Sequence, residues 1–159
     1  MQSSDLGRIF NVYRFRGNFV MKVREIMSRN VGCIEPDTSI KEAAEEMRLL
    51  DVGFLLICEG NCVMGTLTDR DITIRHVADG QNPYRVKARD IMTPNVFYCF
   101  VDQDVEEVGR YMQEHEVRRV LIFDRGQNLV GVVSLGDISK AAGEERLAGE
   151  TLKEIAEAA

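Results

Sequence analysis

Gly65-Thr66-Leu67-Thr68-Asp69-Arg70-Asp71-Ile72 is written a second time, with changes, as Gly131-Val132-Val133-Ser134-Leu135-Gly136-Asp137-Ile138. In each copy an apolar run rich in β-formers stops at a hydroxyl residue, Thr68 or Ser134, and an acid follows three positions later. That is the pattern of a helix N-cap with its reciprocal box, so each stretch reads as a strand turning directly into a helix. The first copy gathers a hydroxyl, Asp71, Arg70 and several unpaired backbone N–H groups at one positive helix end. The grouping suits a ribose and a phosphate: the acid accepts from a vicinal diol, while the N–H groups and the arginine meet the anion. A plain capped junction explains either copy taken alone, because capping boxes are frequent. Recurrence at the same relative place in two halves is what chance capping does not explain.

Working outward, the rest of the chain repeats with these two stretches. Arg24-Glu25-Ile26-Met27 returns 65 positions on as Arg89-Asp90-Ile91-Met92, and Met47, Val52 and Leu56-Ile57 return as Met112, Val117 and Leu121-Ile122. One residue inserted near Arg125–Asn128 makes the shift 66, which carries Gly65 to Gly131 and Asp71 to Asp137. Each unit reads β-α-β-β-α. In the first, Val31–Glu35 is a strand ended by Pro36-Asp37, and Ser39 with Glu42 caps a helix to about Leu50. Ile40, Ala43, Ala44 and Met47 give that helix one apolar face. Phe54–Cys58 and Cys62–Leu67 form a hairpin about Glu59-Gly60-Asn61, and Asp69–Ala78 is the closing helix. In the second unit Val96–Val101 is a strand, Asp104 and Glu107 are the capping box, and Val120–Asp124 with Leu129–Ser134 is the hairpin. A short helix starts at Leu135. The chain therefore divides into an N-terminal extension (1–20), repeat 1 (21–80), repeat 2 (81–142) and a C-terminal helix (143–159) expected to break or fray near Gly149. A half of about 60 residues is marginal alone, so the two α+β units should pack sheet against sheet about a pseudo-two-fold axis. That packing predicts two related clefts, one at each junction.

Composition narrows the function. A content of 45% hydrophobic and 29% charged residues is globular. The net charge of −6 argues against a broad electrostatic grip on nucleic acid or an anionic membrane, without excluding a local cationic pocket. No apolar run approaches the ~20 residues that span a bilayer. Arg8, Arg14 and Arg16 interrupt the first 20 residues, which do not read as a secretory signal; Met21-Lys22-Val23 looks like a fresh start. The extension reads equally as an upstream piece, a vector-derived piece, a strand or an arm. With no export signal, Cys33, Cys58, Cys62 and Cys99 are expected as reduced thiols in the cytoplasm.

Over Val23–Lys140 the chain resembles a tandem pair of cystathionine-β-synthase-type (CBS) domains, the Bateman module. The resemblance rests on the two junctions, on Val23–Met27, and on Val52–Ile57 with its counterpart Val117–Ile122. It resembles the stand-alone CBS pairs of bacteria and archaea, and so implies a non-enzymatic sensor of adenosine-containing ligands: AMP, ADP, ATP, S-adenosylmethionine or NAD-type molecules. The resemblance would place ribose hydroxyls on Asp71 and Asp137, and ribose or phosphate on Thr68 and Ser134. Val31, Cys33, Ile34 and Thr38 would border adenine in one half, and Val96, Tyr98 and Cys99 in the other. Arg118 and Arg119 match the basic pair that meets phosphates in AMP-binding members, with Arg70 adding to it. The first half has Gly53-Phe54 at the place of that pair, so phosphate affinity should differ between the clefts. The family also implies a disc-like homodimer joined through helices, no required cofactor, and a downstream protein that the sequence does not identify.

Rival readings have thinner support. The Cys58-x-x-x-Cys62 spacing is loosely like a zinc knuckle, and the alternative function is a constitutive dimer whose thiols hold zinc or respond to oxidation. Free cysteines in apolar runs are more simply core residues, and a disulfide from Cys33 or Cys99 is not expected in a reducing compartment. Arg118-Arg119 also reads as a surface salt-bridge pair. Acid-rich Glu42–Glu46 and Glu106-Glu107 are solvated helix faces. No phosphate-binding loop of either glycine-rich type is present, and no nucleophile recurs beside an acid, so no catalytic residue is named.

Overall fold

The computed structural model describes residues 20–141 and 145–158; the N-terminal extension, apart from Val20, lies outside the described residues. Two three-stranded sheets organise the chain. The first has the order β1 (Cys33–Ile34), β2 (Phe54–Glu59), β3 (Cys62–Thr68), and the second β4 (Tyr98–Phe100), β5 (Arg119–Phe123), β6 (Leu129–Ser134). In both, the first strand runs parallel to the middle one and the hairpin partner antiparallel, with a bulge at the same relative place. Helices α1 (Ile40–Leu50) and α2 (Asp69–Asp71) serve the first unit, α4 (Val105–Glu114) and α5 (Leu135–Lys140) the second. A short α3 (Ala88–Ile91) follows the linker, and α6 (Glu145–Glu157) closes the described chain.

Local chemistry sets these boundaries. The Ser39 hydroxyl accepts from the Glu42 N–H at 3.3 Å, and the Glu42 carboxylate accepts from Ser39 N–H and hydroxyl at 2.9 and 2.6 Å. The hydroxyl's hydrogen bond holds the Glu42 carboxyl below the usual carboxylate range. Thr68 and Ser134 make the same reciprocal box with Asp71 and Asp137. The first closing helix departs from expectation after one turn: Ile72–Val77 is π-helical, with Ala78 N–H donating to the Thr73 carbonyl at 3.1 Å. Asp51 and Glu116, both at φ 53°, end α1 and α4 in the left-handed conformation at equivalent places.

The two helix-side cores are built by exchange. Val23, with Met21, Ile26 and Met27 beside it, leads into repeat 1 at its start but packs into the core of repeat 2, against Val105, Val108, Met112, Val120 and Ile122. Ala88 and Ile91, in the lead-in of repeat 2, complete the core of repeat 1, with Ile40, Ala43, Leu55, Ile57 and Leu67. Each lead-in also pairs with a strand of the other unit. Ser28 bridges Val132 through two 2.9 Å hydrogen bonds, and Thr93 bridges Thr66 at 2.8 and 2.9 Å. Gly65 and Gly131 permit that approach. A Cβ on Gly65 would stand 2.6 Å from the Thr93 carbonyl oxygen, and one on Gly131 would stand 2.7 Å from that of Ser28. On the other face of the sheets, Leu56 and Leu121 alternate out of the helix-side cores yet are as fully buried. Between the two units the Arg119 guanidinium lies 5.4 Å from the Phe54 ring centre.

Two expectations are corrected. α6 runs unbroken through Gly149, around which nothing lies within 4 Å. A solvent-facing glycine costs about 1 kcal/mol of helix propensity, less than is returned by burying Leu147, Ala148, Thr151 and Ile155. Cys33 and Cys58 are not free thiols: they are joined by a disulfide between neighbouring strands β1 and β2, with Cα atoms 6.3 Å apart. Cys62 is exposed and free, and Cys99 is buried in the second core with its thiol pushed up to about 12 by burial.

Gly65→Ala and Gly131→Ala are each expected to destabilise the protein by about 2 kcal/mol, because backbone cannot yield as a side chain can; urea unfolding measures it, and the two should cost alike. Non-reducing peptide mapping should recover the Cys33 and Cys58 peptides as one species. Cys33→Ser should lose about 3 kcal/mol under oxidising conditions and little in the presence of reductant.

Candidate functional site

A cleft of about 630 Å³ opens where the junction of repeat 1 faces the lead-in of repeat 2. One wall carries Gly53, Phe54, Thr66, Thr68, Asp69 and Arg70. Opposite stand Thr93, Asn95, Val96 and Phe97, then Glu116–Arg119 and Leu121; Ile155 of α6 and Ala158 just after it form a third side. The Thr66–Thr93 bridge makes the floor, so the same bonds that join the units set the cleft's width. Arg119 opens β5 and Arg118 immediately precedes it, two residues after the left-handed Glu116, while Arg70 comes from the first turn of α2.

The electrostatics are local. Three arginines face two acids, Asp69 and Glu116, in a chain whose net charge is −6. Among the described residues none of Arg70, Arg118 and Arg119 forms an ion pair, in contrast to Arg75, which pairs with Asp71 at 3.2 Å. The surface salt-bridge reading of Arg118-Arg119 therefore has no partner acid among those residues. Asp69 is placed by Gly53. Its N–H donates to the Gly53 carbonyl at 3.1 Å, and a Cβ at Gly53 would come within 2.7 Å of its carboxylate.

The candidate residues from the sequence are dispersed differently from expectation. Thr68, Arg70, Val96, Arg118 and Arg119 converge on the cleft. Asp71 does not line it: its carboxylate is held behind Thr68, accepting from the Thr68 N–H at 2.9 Å and hydroxyl at 2.7 Å, with its side chain 14% exposed. Ser134 and Asp137 repeat that box at the second junction, at 2.8 and 2.6 Å. Tyr98 is exposed and meets Phe100 and Phe123 edge-on, while its neighbour Cys99 points into the core, because successive strand residues face opposite sides of the sheet. Cys33 and Ile34 border a separate small pocket with Cys58, Glu59 and Arg89, with Cys33 committed to its disulfide. Thr38 hands its carbonyl to Ala88 at the α3 contact.

Val31 occupies the place in the second junction that Val96 holds in the first. That junction differs chemically. Its counterparts of Asp69-Arg70 and Arg118-Arg119 are Leu135-Gly136 and Gly53-Phe54. Gly32 stands where Phe97 would be, its Cβ direction filled by Leu50 and Leu55 within 2.8 Å. Phe97, Asp69, Thr66 and Leu121 were missed in the sequence. The 65-residue shift maps Phe97 onto Gly32, and a bulky residue replacing glycine beside a junction is a signal that could have found it.

The cleft combines apolar and aromatic side chains with three arginines, a lining that fits a small amphipathic anion. The lining holds no His, Lys or Cys. Among the described residues no cluster of three or more His, Cys, Asp or Glu could hold a metal ion. No helix among them is long and apolar enough to cross a membrane.

Comparison with known proteins agrees with this geometry. A family model described as "CBS domain" matches residues 23–76 and again 88–144. Hypoxic response protein 1 of Mycobacterium tuberculosis is 35% identical over 118 residues, covering 74% of this chain and 82% of that protein. A solved Hypoxic Response Protein I, described with two coordinated zinc ions, superposes with a TM-score of 0.66 at 34% identity, covering 76% of this chain and 98% of its own. A conserved CBS domain protein of unknown function from Thermoplasma acidophilum reaches a TM-score of 0.74 at 25% identity, covering 85% and 76%. The hexameric CBS-CP12 protein from bloom-forming cyanobacteria reaches 0.68 at 25% identity, covering 77% and 68%. Two family segments in register, on a fold whose lead-ins and junctions repeat with the same shift, place this chain in the CBS-domain family as a tandem pair.

Proposed function

We infer that the chain is a non-enzymatic regulatory module whose cleft takes an adenosine-containing ligand with at least one phosphate, AMP, ADP or ATP before S-adenosylmethionine or an NAD-type molecule. The observation that carries this is the convergence of Arg70 from one repeat with Arg118 and Arg119 from the other, none of them in an ion pair among the described residues, beside an apolar slot. In this reading adenine lies between Val96-Phe97 and Leu121. The ribose stands at Thr68, with Asp69 on the wall and Asp71 holding Thr68 from behind, and the phosphates reach the arginines. An anion there would link the units and favour one relative orientation by its differential affinity. Self-association, which the hexameric relative displays in its own case, would here use the helix face of repeat 1. That face leaves Leu49, Ile74 and Val77 exposed, whereas α6 covers the equivalent face of repeat 2. A cytoplasmic location and an unidentified downstream protein complete the proposal.

The alternative keeps a constitutive dimer with zinc-holding or redox-responsive cysteines. The Cys33–Cys58 disulfide favours its redox half, but spends one thiol of the Cys58/Cys62 pair on which a zinc site would rest. Metal analysis of untagged protein, with Cys→Ser variants, tests it.

Isothermal titration is expected to show AMP, ADP or ATP binding at least tenfold more tightly than adenosine. Arg118→Ala and Arg119→Ala should each lose about tenfold, as removal of one charge-assisted hydrogen bond predicts. Equal affinity for adenosine and AMP, or undiminished affinity in the double variant, discards the phosphate assignment. Asp71→Ala should lower stability by about 1 kcal/mol through its cap, and Asp69→Ala should not. Ligand affinities of that pair decide which acid meets the ribose.

A further inference from the structure

Helix α6 lies almost wholly beyond the two segments that match the family, so the family reading gives it no task. It nonetheless forms one side of the cleft through Ile155, itself 5% exposed, and Ala158. Its other end is plugged into repeat 2. The Leu147 side chain sits over Gly109 of α4, where an added Cβ would come within 2.8 Å of it. Midway, the fully buried Thr151 accepts a 2.9 Å hydrogen bond from the Gln113 amide. Leu147 and Ile155 are eight residues apart on the buried face, about 12 Å along the axis. Over two turns an α-helix moves as a rod, so displacing one anchor displaces the other.

The duplication shows what lies beneath α6. Gly109 stands at the position of Ala44, which on repeat 1 lines an open groove of about 640 Å³ with Ile40, Ile72 and Val77. The groove of repeat 2 is thus filled from within by α6, and among the described residues nothing fills that of repeat 1.

We propose that α6 is the ligand-responsive wall of the cleft: Ile155 packs on the apolar part of the bound nucleotide, and occupancy of the cleft is linked to docking of α6 on α4 and α5. This rests on the reading of the cleft as an adenine-nucleotide site. A ligand touching Ile155 makes that contact only when α6 is docked, so it binds the docked state more tightly. Docking strengthens binding by the same factor, as linkage requires. The output is the helix face of repeat 2, covered when the cleft is full and available to a partner in proportion to undocking when it is empty.

The test uses the full chain with AMP and ATP as probes. Ile155→Ser should weaken binding about tenfold, since it removes an apolar contact. Leu147→Asp, which touches no part of the cleft, should weaken it several-fold by undocking α6. Hydrogen exchange of residues 147–157 should slow on AMP addition in the wild type and not in Leu147→Asp. Wild-type affinity in both variants, with exchange in α6 indifferent to nucleotide, overturns the proposal while leaving the cleft assignment intact. If Leu147→Asp fails to fold, Ile155→Ser and the wild-type exchange decide alone. If the wild type binds neither nucleotide, the cleft assignment falls and takes this linkage with it.

Discussion

Two short antiparallel bridges, Ser28 with Val132 and Thr93 with Thr66, tie each repeat's lead-in to the other repeat's last strand. They exist because Gly65 and Gly131 offer no Cβ where the partner carbonyl must pass, 2.6 and 2.7 Å from the position a Cβ would take. The bridges also carry Val23 and Ile91 each into the core of the other repeat. Each core is therefore incomplete without the other half's lead-in. This answers the problem of a marginal 60-residue unit more fully than face-to-face packing alone would. The Thr66–Thr93 side of the cleft is one of these bridges, so that side cannot open without disturbing both cores.

Duplication supplied a symmetric frame, and the functional chemistry comes from departures from it. Arg118-Arg119 has lost its counterpart to Gly53-Phe54, and the two sets meet at the centre, where Arg119 lies over Phe54. Gly53 in turn leaves room for the Asp69 carboxylate, whose counterpart is the apolar Leu135, its N–H donating to the Arg118 carbonyl. Phe97 stands where the other half has Gly32, whose Cβ direction is filled by Leu50 and Leu55. The first junction therefore collects arginines and an aromatic ring whose counterparts at the other are Gly53-Phe54, Gly136 and Gly32. Two copies of one motif thus yield one well-furnished cleft. The α1–α2 and α4–α5 grooves follow the same rule, one left open and one plugged by Leu147.

Asp71 and Asp137 show how a motif can be right about local structure and silent about exposure. Both carboxylates cap their helices with the reciprocal bonds that the T-x-x-D and S-x-x-D spacing implies. Spacing fixes that geometry because a cap is made within four residues. Whether the same carboxylate also faces a ligand depends on what stands across from it, which four residues cannot specify. The same limit governs Tyr98 and Cys99: an apolar run marks a strand whose side chains alternate, but which of its two faces meets the core is decided by what packs against it.

What the sequence by itself determined was everything set by neighbours along the chain or by self-comparison: the duplication, the β-α-β-β-α order, the capping boxes and the inequality of the two junctions. These survive because hydrogen bonds of caps and hairpins, and the alternation of apolar residues, are short-range in sequence. Tertiary structure alone decided the exchange of lead-ins, the Cys33–Cys58 pairing across parallel strands, the continuity of α6 through Gly149, and the appearance of Ile155 beside Arg118. Each of those joins residues separated by 25 positions or more, or pits an intrinsic helix cost against burial on a distant surface. Their free energies belong to contacts that no local pattern contains.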